Sequence, residues 1–184
     1  CRQIRLWNDS GFKDIRVAVN LSPRHFERGT VLQDINAAVK KHKINSQSLE
    51  IEITETAIMD DVAAAIEALQ RVKDQGIQIA IDDFGTGYSS LNYLKRLPIN
   101  IVKIDKSFVD ELSHSEVDSA MVFSIITLAH LLEYKVVAEG VEKKDTMLAL
   151  KSMNCDYLQG YYFSRPVTAS ELGEMLAKDV RLEF

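Results

Sequence analysis

Apolar runs of β type alternate with amphipathic helical stretches along the whole chain. The strand candidates are Val17–Leu21, Leu49–Ile53, Ile77–Ile81, Ile101–Ile104, Lys135–Ala138 and Tyr157–Phe163. Helical patterns lie between them at 31–42, 60–75, 89–96, 115–133 and 143–153, with a last one at 169–179. Strands separated by helices of this length predict parallel βα units, whose strands are covered on both faces and so read as continuous hydrophobic runs. Asp60 or Asp61 is placed to cap the helix before Ala63, Gly76 to close it, and Ser89 or Ser90 to start the helix after the glycine loop. The opening CRQIRLWNDSGF reads as the last turns of a helix and its exit loop. The basic block Lys40–Lys43 falls where a helix should end, and cations there complement the helix dipole.

Composition narrows the class. A chain of 184 residues, 46% hydrophobic and 27% charged, can bury one sizeable core, so a single domain over residues 1–184 is expected. The net charge of −5 argues against a broad nucleic-acid face and hence against direct DNA binding. It leaves room for a small anionic substrate, because bound metal ions invert the charge of a local site. Cys1 and Cys155 form no zinc spacing or disulfide framework, which fits a reducing cytoplasm. No apolar run approaches the roughly 20 residues of a membrane-spanning helix, and no signal peptide is visible.

Residues Ile79 to Gly87 read IAIDDFGTG, an apolar run that ends in two adjacent carboxylates. Neighbouring strand side chains point to opposite faces, and like charges this close repel unless a cation lies between them. Asp82 and Asp83 therefore point to a divalent-metal site at the C-terminal end of a strand. Other strands end in the same way: Asn20 after VAV, Glu52 in EIEI, Lys103 and Asp105 in IVKID, Glu139 after VVA, Gln159 in YLQGY. Alone, Asn20 reads equally as a turn former, Glu52 as a surface acid and Lys103 as a solvated charge. Together they fall where the strands of a (β/α) barrel converge on one mouth, the place of the active site in that fold. Carboxylates and an amide oxygen without cysteine form a hard ligand set suited to Mg²⁺ or Mn²⁺.

The segments NLSPRHF (20–26), EITET (52–56), DDFGTGYSSL (82–91), KIDKSF (103–108), AEGVE (138–142) and YLQGYYFSRP (157–166) resemble, in order, the motifs of the EAL-domain family of cyclic di-GMP phosphodiesterases. The resemblance implies an α/β fold, a modified TIM (β/α)8-type barrel with one antiparallel strand. By position it implies that Asn20, Glu52, Asp82, Asp83 and Glu139 are metal ligands, with Asp82 bridging two ions. Lys103 would hold the attacking water or a phosphate oxygen, Glu139 would position or deprotonate that water, and Gln159 would support the same network or the second ion. Arg165, Pro166 and Asp105 would meet the substrate, and Glu142 also matches a family position. Glu55 and the loop of Phe84, Gly85, Thr86 and Gly87 would couple loop position to metal binding and dimerisation. Two ions about 3.5–4 Å apart lower the pKa of a shared water and clamp the phosphate. The implied reaction opens cyclic di-GMP to linear pGpG. The implied setting is the bacterial cytoplasm, as a homodimer, with upstream sensor or diguanylate-cyclase-like domains in the parent protein.

Two departures accompany the resemblance. His25 stands where the family often has glutamine, and reads as a loop residue. No Glu-Ala-Leu strand is found. Matching the motifs places residue 1 inside the helix after the second strand, so about the first two strands and first helix of a barrel of ~250 residues are expected to be missing. They would carry a ligand glutamate and a substrate-contacting arginine. Val17–Leu21 and Tyr157–Phe163 would then be open edges, covered by pairing across subunits, by exchange of elements, or by more of a longer protein. Three alternatives stand beside catalysis. One is a module that binds cyclic di-GMP without cleaving it. A second makes Lys103 a Schiff-base lysine, which requires a depressed pKa that nearby carboxylates would oppose. The third is an interaction scaffold built on the apolar helix from Ser115 to Glu133.

Overall fold

The computed structural model describes residues 1–22, 30–59, 61–86, 91–112 and 115–178. His25, Asp60, Gly87, Ser89 and Ser90 lie outside the described residues. Six strands form one sheet in sequential order: β1 (Val17–Asn20), β2 (Leu49–Thr54), β3 (Gln78–Phe84), β4 (Ile101–Ile104), β5 (Lys135–Ala138) and β6 (Tyr157–Leu158). Every adjacent pair is parallel, with Asn20 opposite Glu52 and Lys103 opposite Val137. The sheet curves as half of a barrel, and β1 and β6 are its two edges.

Helices connect and flank the strands. They include α1 (Arg2–Asp9), α2 (Val31–His42), α3 (Glu55–Met59), α4 (Val62–Lys73), α5 (Leu91–Leu94), α6 (Lys106–Asp110), α7 (Glu116–Leu131), α8 (Lys144–Ser152) and α9 (Ala169–Ala177). Alternation along each strand sorts the side chains. Ile51, Ile53, Ile79, Ile81, Val102, Ile104 and Val136 are buried beneath the helices. The intervening Glu50, Glu52, Asp82 and Glu139 are only half-buried. Beneath the strand ends, Ala18, Glu50, Ile101 and Val137 line a cavity of about 190 Å³ together with Arg16 and Tyr157.

Local signals act largely as expected. Asp61 accepts a hydrogen bond from the Ala64 N–H at 3.0 Å and caps α4. Lys40, Lys41 and His42 form the last turn of α2. Gly76 lies in the exit turn, beyond the Asp74 C-cap, rather than closing α4 itself.

Two strand expectations are corrected. The strand expected over Tyr157–Phe163 pairs only at Tyr157 and Leu158. The chain turns at Gly160, where a Cβ would come within 2.2 Å of the Val141 carbonyl oxygen, and the Tyr162 N–H then bonds that oxygen at 2.9 Å. The strand expected to end at Ile81 continues to Phe84 through a register shift. The short helices α3 and α6, one turn each after β2 and β4, fall in segments that show no helical period. Among the described residues, no helix is long and apolar enough to cross a membrane.

Candidate metal centre at the strand ends

The centre of the concave face is Lys103, the third residue of β4, which is 4% exposed. Its ammonium meets three carboxylates from three other strand ends: Glu139 at 2.7 Å, Glu52 at 2.8 Å and Asp82 at 3.0 Å. Desolvation, the largest single influence, pulls the Lys103 pKa down. The hydrogen bonds to Glu139, Glu52 and Asp82 together outweigh it, and the net shift is upward. A Schiff-base lysine needs the opposite shift, so that reading is set aside.

The two adjacent aspartates do not point to opposite faces. Asp83 has a φ of 55°, in the left-handed region, and sits in the register shift between Ile81 and Phe84. This kink brings Asp82, Asp83 and Glu139 together, with one carboxylate oxygen of each within 4.8 Å of the others. Left-handed backbone is costly for most L-residues but is tolerated by aspartate. Burial, then the negative charges of Asp82 and Asp105, push the Asp83 pKa up. Glu139 is also raised, first by desolvation, with Asp82 and Glu52 adding to it against the pull of Lys103. Acids that resist ionisation beside one another are suited to a cation, and the oxygen donor set fits a hard divalent ion.

The other expected residues are distributed around this cluster. Asn20 lies opposite Glu52 on the edge strand β1 and is exposed. Gln159 is exposed just beyond β6, with its N–H donating to the Ala138 carbonyl at 2.9 Å. Asp105 caps α6, accepting hydrogen bonds from both the hydroxyl and the N–H of Ser107. Those bonds, led by the hydroxyl, hold its pKa below the ordinary value. Arg165 stacks over Tyr161 with the guanidinium 5.0 Å from the ring centroid, and Pro166 is exposed beside it. Glu55 is 2% exposed and accepts a hydrogen bond from the Gly85 N–H at 3.4 Å. Its other oxygen, Oε1, is buried without a hydrogen-bond partner among the described residues. Phe84 is buried, while the Thr86 hydroxyl donates to the Asp83 carbonyl at 2.8 Å. Sequence reasoning left Lys106 without a role, because the short helix that presents it has no periodic signal.

A parallel α/β half-barrel with acids gathered at its strand ends defines a class of barrel enzymes. Residues 1–166 match the family model for the EAL domain, and the chain belongs to that family. It is 42% identical over 172 residues to the bifunctional diguanylate cyclase/cyclic di-GMP phosphodiesterase MucR of Pseudomonas aeruginosa, covering 94% of this chain and 25% of MucR. It is 39% identical to the cyclic di-GMP phosphodiesterase NbdA of the same organism, covering 96% of this chain and 22% of NbdA. The chain thus spans about a quarter of the length of these relatives. The structure of the MucR phosphodiesterase in complex with cyclic di-GMP superposes with a TM-score of 0.90, covering 94% of this chain and 70% of that one. Klebsiella pneumoniae BlrP1, in a manganese and cyclic di-GMP complex, is 28% identical with a TM-score of 0.80, covering 90% of this chain and 43% of that one.

Proposed function

We propose that this chain is a single EAL-type domain and that the domain hydrolyses cyclic di-GMP to pGpG with Mg²⁺ or Mn²⁺, using two ions. The observation that carries this reading is the meeting of Asp82, Asp83 and Glu139 within 4.8 Å, next to the Lys103 ammonium. Asn20, Glu52, Asp82, Asp83 and Glu139 would hold the ions through oxygen donors alone. When bound, the ions supply charge neutralisation on the phosphate and lower the pKa of a water nucleophile.

Lys103 remains protonated, since its pKa is raised. It therefore serves as a hydrogen-bond donor to a phosphate oxygen or to the attacking water, not as a base. Glu139, with its raised pKa, is suited to orient that water and accept a proton from it. Gln159 offers an amide to the same water. Asp105, Arg165 and Pro166 stand at the rim, where a substrate would lie. Glu55 holds the Gly85 end of the loop, so loop position and the Asp83 ligand move together. The relatives' names and the BlrP1 complex support the substrate and the use of divalent ions.

The same reading makes the domain a homodimer in the bacterial cytoplasm, within a parent protein that carries sensor or cyclase-like domains. The α7 helix supports self-association. Its inner residues Val122, Ile126 and Ala129 are buried, yet Val117, Phe123 and Leu131 on other sides are 69%, 53% and 77% exposed. A helix that is apolar all round is normally covered on every side.

The test is to incubate the chain, and a form extended upstream by its native residues, with cyclic di-GMP and Mg²⁺ or Mn²⁺, and to measure pGpG. The extended form is expected to produce pGpG and its Asp82→Asn variant none. An inactive extended form would overturn the reading.

A further inference from the structure

We infer that Lys106 is a positioning residue that holds Glu139 in the acidic cluster by latching the β5–α8 connection onto the start of α6. The inference rests on the metal-site reading above. The Lys106 ammonium donates to Glu142 at 2.6 Å. On the way there, its methylene stem lies across Gly140. A Cβ at that position would come within 2.3 Å of Lys106 Cγ and 2.7 Å of its Cβ. Gly140 has a φ of 70°, so the backbone turns sharply just after Glu139, and the Lys106 stem fills the space that a side chain would take.

The same segment is gripped at its other end by β4. The Glu139 N–H donates to the Ile104 carbonyl at 3.1 Å, and the Glu139 carboxylate meets Lys103. Two lysines three positions apart therefore hold one loop: Lys103 takes its first glutamate and Lys106 its last. Asp105 makes this reach possible. By capping α6 it starts the helix directly after β4, so that Lys106 is the first helical residue and lies against the neighbouring connection. On the far side, the Val141 N–H donates to the Gln159 carbonyl at 3.0 Å, which ties the segment to β6.

An exposed ion pair contributes little on its own. Here the apolar stem packed on Gly140 gives the contact a direction, as long cationic side chains do when they cover apolar surface. Ligands of a metal site must be held to within about 0.5 Å, and their supporting contacts set that placement. Loosening the segment would leave Glu139 free to leave the cluster while the strands stay intact.

The experiment compares the wild-type chain with Lys106→Ala, Lys106→Arg and Glu142→Gln, using two readouts. The first is hydrogen exchange at the Glu139 and Val141 amides in chelator. The second is the Mn²⁺ dissociation constant by calorimetry. Lys106→Ala is expected to speed exchange at both amides, leave Ile79 in β3 unchanged, and weaken Mn²⁺ binding roughly tenfold. Lys106→Arg should recover most of both. Faster exchange with unchanged Mn²⁺ affinity, or no change in either, would overturn the latch alone. A wild-type chain that binds no Mn²⁺ would overturn the metal-site reading and the latch with it.

Discussion

Lys103 and Glu139, on neighbouring strands β4 and β5, meet at 2.7 Å over the concave face of the half-barrel. Because Glu52 and Asp82 converge on the same ammonium, one lysine balances three strand ends. Replacing it with an isosteric apolar group would leave three half-buried acids without that cation. Breaking a buried pair from one side costs about 3–5 kcal/mol, mostly because the remaining charge is uncompensated. Lys103→Met is therefore expected to lower the urea midpoint strongly in chelator and to regain part of it with Mn²⁺. An unchanged midpoint in chelator would show that the ammonium is not the counter-ion it is taken to be.

Asp83 combines a left-handed backbone that aspartate tolerates with a carboxylate repelled by Asp82. Asp83→Gly keeps the backbone conformation and removes the carboxylate. Loss of that repulsion should leave the metal-free chain at least as stable, and loss of the carboxylate should weaken Mn²⁺ binding. Thermal unfolding in chelator and calorimetry with Mn²⁺ read the two effects separately. Equal Mn²⁺ affinity in the two proteins would remove Asp83 from the ligand set.

Asp156 joins α7 to the start of β5, at the other end of that strand from Glu139. Its carboxylate accepts from the Val136 N–H at 2.9 Å, His130 at 2.8 Å and Lys135 at 2.6 Å. Burial pushes its pKa up, but those partners together hold it below the ordinary 3.8. Since the folded value is depressed, the stabilisation is complete above the unfolded pKa and is lost as pH falls through the folded one. Asp156→Asn should cost about 1.5 kcal/mol at neutral pH, with exposed Lys135 contributing little. The gap from wild type should shrink as pH drops below 3.8. A gap that stays constant down the acid limb would show that the charge on Asp156 does not matter.

Glu55 ties α3 to the end of β3 through the Gly85 N–H. Glu55→Ala should speed hydrogen exchange at Gly85 and weaken Mn²⁺ binding through the neighbouring Asp83, with little change at Leu69 in α4. If Gly85 exchanges at the wild-type rate, the contact does not restrain the loop.

Self-association through α7 makes a separate prediction. Light scattering should report a dimer for the wild-type chain and a monomer for Phe123→Glu combined with Met121→Glu, both exposed positions. A wild-type monomer at high concentration would exclude this interface.

The order of strands and helices was legible because alternation along a strand and the helical repeat are local properties. Five of the expected strands begin at the observed residue, and Asp61 caps the helix it was expected to cap. Polar groups at successive strand ends were enough to point to one mouth and a hard cation. The turn at Gly160 was not legible, since an apolar aromatic run such as YYF has the composition of a strand whether or not a partner is present. Nor was the kink at Asp83, which a strict two-residue period contradicts.

By itself, the amino-acid sequence determined the class of fold, the side of the sheet that is polar and the kind of ligand that side could hold. Tertiary structure alone decided which acids share Lys103, how Asp83 turns back toward Asp82, and that the stem of Lys106 crosses Gly140. The reason is distance. Neighbouring strands bring together residues tens of positions apart at a spacing of about 5 Å, and no local periodicity records which of those side chains then touch.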